Sequence, residues 1–213
     1  MRIIARIFLR FIGIIFTKFV FRFSIKGRET IPPSPVILAV NHHSYMDPPL
    51  VLLSFPRWRN LIFAAHMDLW NIPFLRQVLD FYGAIPVAKG VPTKSNIQKI
   101  IDLLREGKDI CIFPEGGIID KPGFSPAYRG ISLIVEQTGV PVVPVYLEGT
   151  LKWIKNPWKS ITLTYRDPIY WEEFINKEKE SNLPRKELHI RFAQIIMNRI
   201  YNNEDGVYNE KIV

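Results

Sequence analysis

The sequence has a single cysteine, Cys111, among 213 residues, and this scarcity excludes an intramolecular disulfide framework. Such a chain fits a reducing compartment. Cys111 lies inside the apolar run Ile110–Phe113, so we expect a small buried side chain there rather than a nucleophile. Clusters of cysteine and histidine at metal-ligand spacing are also lacking, and the sequence implies no metal site and no bound cofactor.

The N-terminal region lacks acidic residues and lacks an apolar run that could cross a membrane. Within residues 1–28 there is no Asp or Glu, and seven of the chain's 28 basic side chains lie here: Arg2, Arg6, Arg10, Lys18, Arg22, Lys26 and Arg28. In the rest of the chain, 21 basic residues are nearly balanced by 20 acidic ones. Seven of the eight net positive charges therefore come from residues 1–28, and the basic charge is not that of a nucleic-acid-binding surface spread over the fold. The longest uncharged stretch of Met1–Phe23, residues 11–17, is far shorter than the ~20 residues of a spanning helix.

The same segment is rich in Ile and Phe, and its pattern predicts a cationic amphipathic helix. At about 100° per residue, five of its bases fall within about 200° of arc, opposite an apolar face. Such a helix lies in the lipid headgroup layer. A signal peptide is the alternative, but Arg6 and Arg10 interrupt its apolar region. A core helix would have to bury the cations. We therefore predict a membrane-interfacial segment at residues 1–28 and one globular domain at 29–213.

The globular part alternates apolar, strand-like runs with helical patterns. Strands are predicted at Val36–Val40, Leu61–Ala65, Ala84–Val87, Ile110–Phe113, Val142–Leu147 and Ile161–Tyr165. Helices are predicted from a cap at Ser95 or Asn96 to Gly107, at residues 130–137 and at residues 185–201. This alternation predicts a single α/β domain with a largely parallel sheet covered by helices on both faces. Ligands of such sheets bind outside the carboxyl ends of the strands.

One of these strands stops abruptly in polar residues. Val36–Val40 is followed by Asn41 and His42, and Asp47 comes five residues after the histidine. One turn of loop or helix could fold the carboxylate back onto the imidazole. A carboxylate on one ring nitrogen fixes the tautomer and leaves the other nitrogen free to take a proton. His42 and Asp47 are therefore a candidate general base and its orienting residue. A capping Asp beside a hydrogen-bonded loop histidine is the alternative.

Three further motifs follow in order. They are a strand that ends in a cation (Gly83–Lys89), a turn with a carboxylate and two glycines (Phe-Pro-Glu-Gly-Gly, Phe113–Gly117), and the strand Val-Pro-Val-Val-Pro-Val (Val140–Val145). Adjacent glycines let a ligand approach the backbone closely. Together with the His42 box, this order and spacing resemble the 1-acylglycerol-3-phosphate acyltransferase family of glycerolipid acyltransferases, over about residues 27–150.

The resemblance implies transfer of a fatty acyl group from a thioester to the free hydroxyl of a lysophospholipid. The expected acceptor is 1-acyl-sn-glycerol 3-phosphate, the product phosphatidic acid, and the donor acyl-CoA or an acyl carrier protein. The resemblance also implies His42, Asp47 and Glu115 as catalytic residues, and no covalent acyl-enzyme. A membrane lipid surface is an expected partner and nucleic acid is not. The expected location is the cytoplasmic face of the cell membrane, as a peripheral or monotopic protein.

The resemblance further implies a set of substrate-binding residues: Asn41, His66, Lys89, Gly116, Gly117 and Arg129. The chain departs from the family at basic positions that hold the acceptor phosphate. Lys89 replaces an Arg, Gly117-Ile118 replaces Thr-Arg, and His66 stands where Lys is common. Loss of a bidentate guanidinium weakens phosphate recognition. Either Lys89, Arg129 and a protonated His66 rebuild the phosphate site, which we favour, or a different lysolipid is the acceptor.

Two other classes of function stay open. A hydrolase could use Ser44, but Ser44 shares the loop of His42 and the sequence has no Gly-x-Ser-x-Gly elbow. A non-catalytic membrane- or lipid-binding domain fits the altered phosphate positions, whereas the intact His42, Asp47 and Glu115 argue against it. We expect His43 to pack in the loop or to donate a hydrogen bond there.

Overall fold

The structure, a computed structural model, describes residues 11–15, 17, 22–87, 93–121, 125–151, 160–179 and 181–202. In this part of the chain, seven strands form one sheet: β1 (Ser24–Lys26), β2 (Ile37–Val40), β3 (Leu61–His66), β4 (Ile85–Val87), β5 (Asp109–Ile112), β6 (Val142–Glu148) and β7 (Thr162–Tyr165). Their order is β1-β7-β6-β2-β5-β3-β4. Strands β2 to β6 are mutually parallel, while β7 runs antiparallel to β6 and carries β1 parallel to itself.

Helices fill most of the connections between the strands. They are α1 (Asp47–Ser54), α2 (Pro73–Tyr82), α3 (Lys94–Arg105), α4 (Gly130–Thr138), α5 (Trp171–Glu178) and α6 (Arg185–Tyr201), with 3₁₀ turns at Arg28–Thr30 and Met67–Asn71. The predicted cap of α3 at Ser95 or Asn96 is wrong: Thr93 is the cap, and it forms a reciprocal capping box with Asn96, the third residue of the helix. Gly139, in the left-handed conformation, ends α4.

The central strand, β2, is buried on both faces, because its side chains point alternately into two different core layers. Ile37 belongs to the layer that α3, α4, α5 and α6 cover, together with Ile101 and Phe192. Leu38 belongs to the opposite layer, which includes Leu50 of α1. The predicted α/β domain with a mostly parallel, helix-covered sheet is confirmed.

All six predicted strands and all three predicted helices are present, with bounds shifted by a few residues at most. The sequence reading missed β1, α1, α2 and α5. β1 has only three residues and is held by pairing with the distant β7. The predicted segment at residues 1–28 lies mostly outside the described residues, including Arg2, Arg6, Arg10 and Lys18.

Residues 11–15 and 17 of this segment are helical. Gly13 packs so closely on α1 that an added Cβ would lie 2.7 Å from a methyl group of Leu53. Phe11, Ile12 and Ile15 stay 43–49% exposed, so the domain does not bury the apolar face that they form. No helix among the described residues combines the length and the hydropathy that crossing a bilayer requires.

Candidate active site

Asn41 ends β2 and fixes the start of the loop that carries the polar motif. Its buried carboxamide bonds the backbone of Leu147 in β6 in both directions: the Leu147 N–H donates to Oδ1 at 2.7 Å, and Nδ2 donates to the Leu147 carbonyl at 3.0 Å. The side chain thereby extends the pairing of β2 with β6 by one step. Its predicted contact with substrate stays a prediction.

The loop brings His42 and Asp47 together as the sequence predicted. Asp47 is the first residue of α1 and is completely buried. Its Oδ2 atom accepts from Nδ1 of His42 at 2.9 Å and from the backbone N–H groups of His43 and Ser44 at 2.7 and 2.8 Å. An oxygen that accepts from three donors requires the proton of His42 to lie on Nδ1, so Nε2 carries the lone pair. Phe113 stacks on the imidazole, with ring centroids 4.1 Å apart.

Glu115 lies in the turn after β5 and holds the same loop through its backbone. Its Oε2 atom accepts from the backbone N–H of His42 at 2.8 Å. The Ile119 N–H donates to the carbonyl of His42 at 2.7 Å, and Nδ1 of His43 lies 2.7 Å from the Ile119 carbonyl. Hydrogen bonds from residues 113–119 therefore hold His42 and His43 in position. Burial raises the pKa of the Glu115 carboxyl, and the His42 N–H partly offsets that effect.

A pocket of about 180 Å³, open in part to solvent, has His42 in its wall. His66, Gly116 and Gly117 also line it. The rest of its wall is apolar, contributed by the sheet and by the facing sides of α3 and α4: Ala64, Val87, Ile97, Ile100, Ile112, Phe113, Pro114, Ile131 and Ile134. The arrangement places a proton acceptor in the wall of a largely apolar cavity.

The two glycines of the turn differ in what they do. Gly116 has φ +71°, and a Cβ there would lie 2.2 Å from the ring of Tyr128, so a side chain would displace that tyrosine. The N–H of Gly116 is bonded to the carbonyl of Phe113 at 3.0 Å. Gly117 has open space where a Cβ would stand, and its predicted contact with substrate stays a prediction.

The predicted phosphate-binding cations are only partly placed. His66 lines the pocket; its Nδ1 accepts from the N–H of Asp68 at 3.3 Å, and the Asp68 carboxylate lies 3.4 Å from the same nitrogen. Arg129 is exposed at the start of α4, between two residues that line the pocket, Tyr128 and Gly130. Lys89 lies outside the described residues.

The sequence reading missed Tyr201, the last residue of α6. Its hydroxyl lies 3.1 Å from Oε1 of Glu115, which is 86 positions away in the sequence, and 3.3 Å from Nε2 of His43. Burial, and then the nearby Glu115 carboxyl, raise the pKa of Tyr201 above its usual value, so the phenol stays protonated and can donate. The sequence gives no signal for this contact, since an aromatic residue at the end of a helix is most often a packing residue.

Comparison with solved structures supports the fold. The chain superimposes with a TM-score of 0.62 on the crystal structure of the 1-acyl-sn-glycerophosphate acyltransferase PlsC from Thermotoga maritima. The two are 21% identical, and the alignment covers 86% of this chain and 73% of the other.

Three curated relatives bear the name 1-acyl-sn-glycerol-3-phosphate acyltransferase. The chloroplastic BAT2 of Brassica napus is 29% identical over 136 residues, which are 62% of this chain and 39% of the relative. The Borreliella burgdorferi protein is 34% identical over 137 residues, 62% of this chain and 54% of the relative. The Bacillus subtilis protein is 24% identical over 184 residues, 85% and 87% of the two chains. The match thus spans about half or less of the length of the first two relatives.

The His42 box, the Glu115 turn and β6 all lie within the segment that matches a sequence model of one family, described as Acyltransferase, at residues 22–148. This segment is more than half of the chain, and the chain belongs to the Acyltransferase family.

Proposed function

We propose that the protein transfers a fatty acyl group from a thioester to the free hydroxyl of a lysophospholipid, with 1-acyl-sn-glycerol 3-phosphate as acceptor and phosphatidic acid as product. One observation carries the proposal: His42, oriented by the buried Asp47, lines a largely apolar pocket. The names of the relatives support the choice of acceptor.

In the reaction, Nε2 of His42 takes the acceptor's hydroxyl proton while that oxygen attacks the thioester carbonyl. The Asp47 carboxylate stabilises the imidazolium that forms. The tetrahedral intermediate then expels the thiolate, which receives the proton back from His42, so the histidine ends as it began. A thioester is already activated, and no acyl-enzyme is needed. Gly117 borders the pocket with open space beside its Cα, where a backbone N–H could hold the developing oxyanion.

The apolar pocket suits the fatty acyl chain. Ile97 and Ile100 of α3 face Ile131 and Ile134 of α4 across it. Burying each methylene of a chain between them contributes about 0.8 kcal/mol. With the chain in this pocket, the thioester carbonyl would lie near His42. The donor would be acyl-CoA or an acyl carrier protein.

The acceptor's phosphate needs positive charge near the hydroxyl that reacts. His66 lines the pocket beside Asp68, Arg129 lies next to Tyr128 and Gly130 of its wall, and Lys89 follows the wall residue Val87 by two positions in the sequence. A doubly charged phosphate would favour the protonated form of His66. These three residues would take over the role of the guanidinium that Ile118 replaces.

The membrane supplies the lipids, and the N-terminal segment would bind it. The exposed Phe11, Ile12 and Ile15 together with the seven basic residues of 1–28 fit an interfacial helix on anionic lipid. We place the protein on the cytoplasmic face of the cell membrane as a peripheral or monotopic protein.

The test is product analysis with the full chain, labelled acyl-CoA or acyl carrier protein, and a panel of lysolipids in liposomes. Labelled phosphatidic acid formed from lysophosphatidate supports the proposal. If only an uncharged or zwitterionic lysolipid is acylated, that lipid is the acceptor. The absence of a basic residue at Ile118 would then fit an acceptor without a phosphate monoester. Free fatty acid would indicate a hydrolase, and Ser44→Ala would show whether that serine is its nucleophile. No turnover with any acceptor would leave a lipid-binding domain.

A further inference from the structure

The last helix reaches the site from outside the segment that matches the family. α6 comes after residue 148, where the match ends. Phe192, Ile196 and Ile200 fix it on the sheet, since all three are completely buried. Tyr201 is therefore held by a well-packed helix, and its hydroxyl lies between the carboxyl of Glu115 and the ring of His43. We refer to Glu115, Tyr201 and His43 as the relay cluster.

Hydrogen positions in the relay cluster follow from its acceptors. A carbonyl oxygen can only accept, so Nδ1 of His43 donates to Ile119 and carries a proton. Nε2 of His43 then accepts when the ring is neutral and donates when the ring is charged. The Tyr201 hydroxyl has one proton, so it donates to Glu115 or to His43 but not to both, and the side chain of Asn41 also hydrogen-bonds to this hydroxyl.

Two arrangements satisfy both contacts of the hydroxyl. In one, a charged His43 donates to the Tyr201 oxygen while Tyr201 donates to an ionised Glu115. In the other, a protonated Glu115 donates to Tyr201 while Tyr201 donates to a neutral His43. With an ionised Glu115 and a neutral His43, the single hydroxyl proton leaves one of two acceptors without a donor. With both groups protonated, both donate to the Tyr201 oxygen and the hydroxyl proton has no acceptor among them. The cluster is complete when Glu115 and His43 hold one proton between them.

We propose that Tyr201 is a positioning residue for acyl transfer: its hydroxyl couples Glu115 to His43, so that the pair shares a single titratable proton and the Glu115 carboxyl is held in place on the backbone of His42. The effect on the reaction rests on the proposed role of His42 as the base. The carboxyl is the direct link, because its other oxygen accepts from the His42 N–H at 2.8 Å.

The groups that face Glu115 come from three elements. The loop after β2 presents the backbone of His42 and the ring of His43, and α6 presents Tyr201. The backbone N–H of Ser125 also donates to the carboxyl. On β6, Tyr146 lies against Tyr201 with ring centroids 5.3 Å apart, and its own pKa is raised by burial first and by Glu148 second. Within the described residues, the coupling thus involves one acid, one imidazole and the hydroxyl between them.

The direct test is a titration of the Glu115 carboxyl in the full chain without any substrate. Carbon-13 in the glutamate carboxyls gives one signal per residue, and Glu115→Gln identifies the signal of Glu115. Tyr201→Phe removes a donor to the ionised carboxylate, so the titration midpoint of Glu115 should rise by about one pH unit. An unchanged midpoint and an unchanged titration curve would overturn the coupling.

A matched control and a second variant distinguish the loss of this coupling from a general loss of packing. Tyr165→Phe also removes a buried hydroxyl, which bonds Ser54 at 2.6 Å in the other core layer, and it should leave the Glu115 midpoint unchanged. His43→Ala should raise the midpoint as Tyr201→Phe does, and the double variant should raise it no further. Additive increases in the double variant would contradict a shared proton. If Tyr201→Phe proved too unstable to titrate, His43→Ala alone would decide, because an unchanged Glu115 midpoint in that variant would overturn the coupling.

The effect on the reaction is measured separately. Tyr201→Phe should lower kcat about tenfold with little change in either KM, and its acid limb should move to higher pH with the carboxyl. In the Glu115→Gln background, Tyr201→Phe should cost nothing more. Equal losses at every pH would reduce Tyr201 to a packing residue. A wild type without acyl transfer would refute the proposed function, while the carboxyl titration would still decide the coupling.

Discussion

Replacing Asp47 by Asn removes the charge behind His42 while keeping the shape of the site. Oδ2 of Asp47 accepts three hydrogen bonds, whereas Oδ1 is buried and has no hydrogen-bond partner among the described residues. The carboxamide can therefore place its oxygen where Oδ2 is and its NH₂ where Oδ1 is. We expect Asp47→Asn to fold and to leave the loop of His42 in place.

The kinetic cost follows from the imidazolium that forms during the reaction. A hydrogen bond to a charged group contributes about 1.5–3 kcal/mol and a neutral one about 0.5–1.5 kcal/mol. The lost attraction between two unit charges at about 4 Å is at most about 4 kcal/mol in a partly buried site. A loss of about 2–4 kcal/mol in the transition state lowers kcat about 30- to 1,000-fold.

The assay compares kcat and KM of Asp47→Asn and wild type with saturating acyl-CoA and lysophosphatidate in liposomes. KM should change little, because Asp47 is buried and lies behind the ring rather than in the pocket. Asp47→Ala, which cannot accept the three hydrogen bonds, should in contrast lose stability as well as activity. A folded Asp47→Asn variant with wild-type kcat would refute the role of Asp47 as the orienting carboxylate.

Three further outcomes follow from the structure. Arg59→Ala should lower the free energy of unfolding by about 3–5 kcal/mol in denaturant titrations, because it leaves the buried Asp109 carboxylate without its guanidinium; a loss below about 1 kcal/mol would contradict this. Phe11→Ser combined with Ile15→Ser should weaken binding to anionic liposomes at least tenfold, because it removes exposed apolar side chains. The control Phe74→Ser removes an exposed apolar side chain of α2 and should not weaken binding. Equal losses in the two cases would refute an N-terminal anchor. Lys89→Ala should raise KM for lysophosphatidate more than KM for acyl-CoA, and Ile118→Arg should leave lysophosphatidate use unchanged or improve it; the opposite pattern in steady-state kinetics would contradict the proposed phosphate site.

The buried strands were predictable because each is a short, continuous apolar run that ends in polar or turn residues, as β2 does at Asn41. α1 was not predicted because its apolar run begins with two prolines and shows no clear helical period. All ten residues of α2 are exposed or half-buried, so no burial pattern in the core marks them. Their conformations depend on the sheet that they pack against or border.

The site could be predicted as far as its short-range chemistry extends. His42 and Asp47 are five residues apart, and their hydrogen bond follows from that spacing. The contact of Glu115 with the His42 backbone joins residues 73 apart, and only the sheet order of β2 beside β5 explains it. Tyr201 is further away still and carries no local signal. Long-range contacts of this kind are set by topology, which a periodic pattern does not encode.

The most direct test of the account is the product formed by His42→Ala beside wild type, with labelled acyl-CoA, lysophosphatidate and anionic liposomes. The substitution removes the ring that pairs with Asp47 but neither the pocket nor the exposed N-terminal side chains. We expect labelled phosphatidic acid from wild type, and from His42→Ala a rate lower by at least about 10²–10⁴-fold with liposome binding and thermal unfolding close to wild type. Phosphatidic acid formed by a folded His42→Ala variant at the wild-type rate would contradict the account.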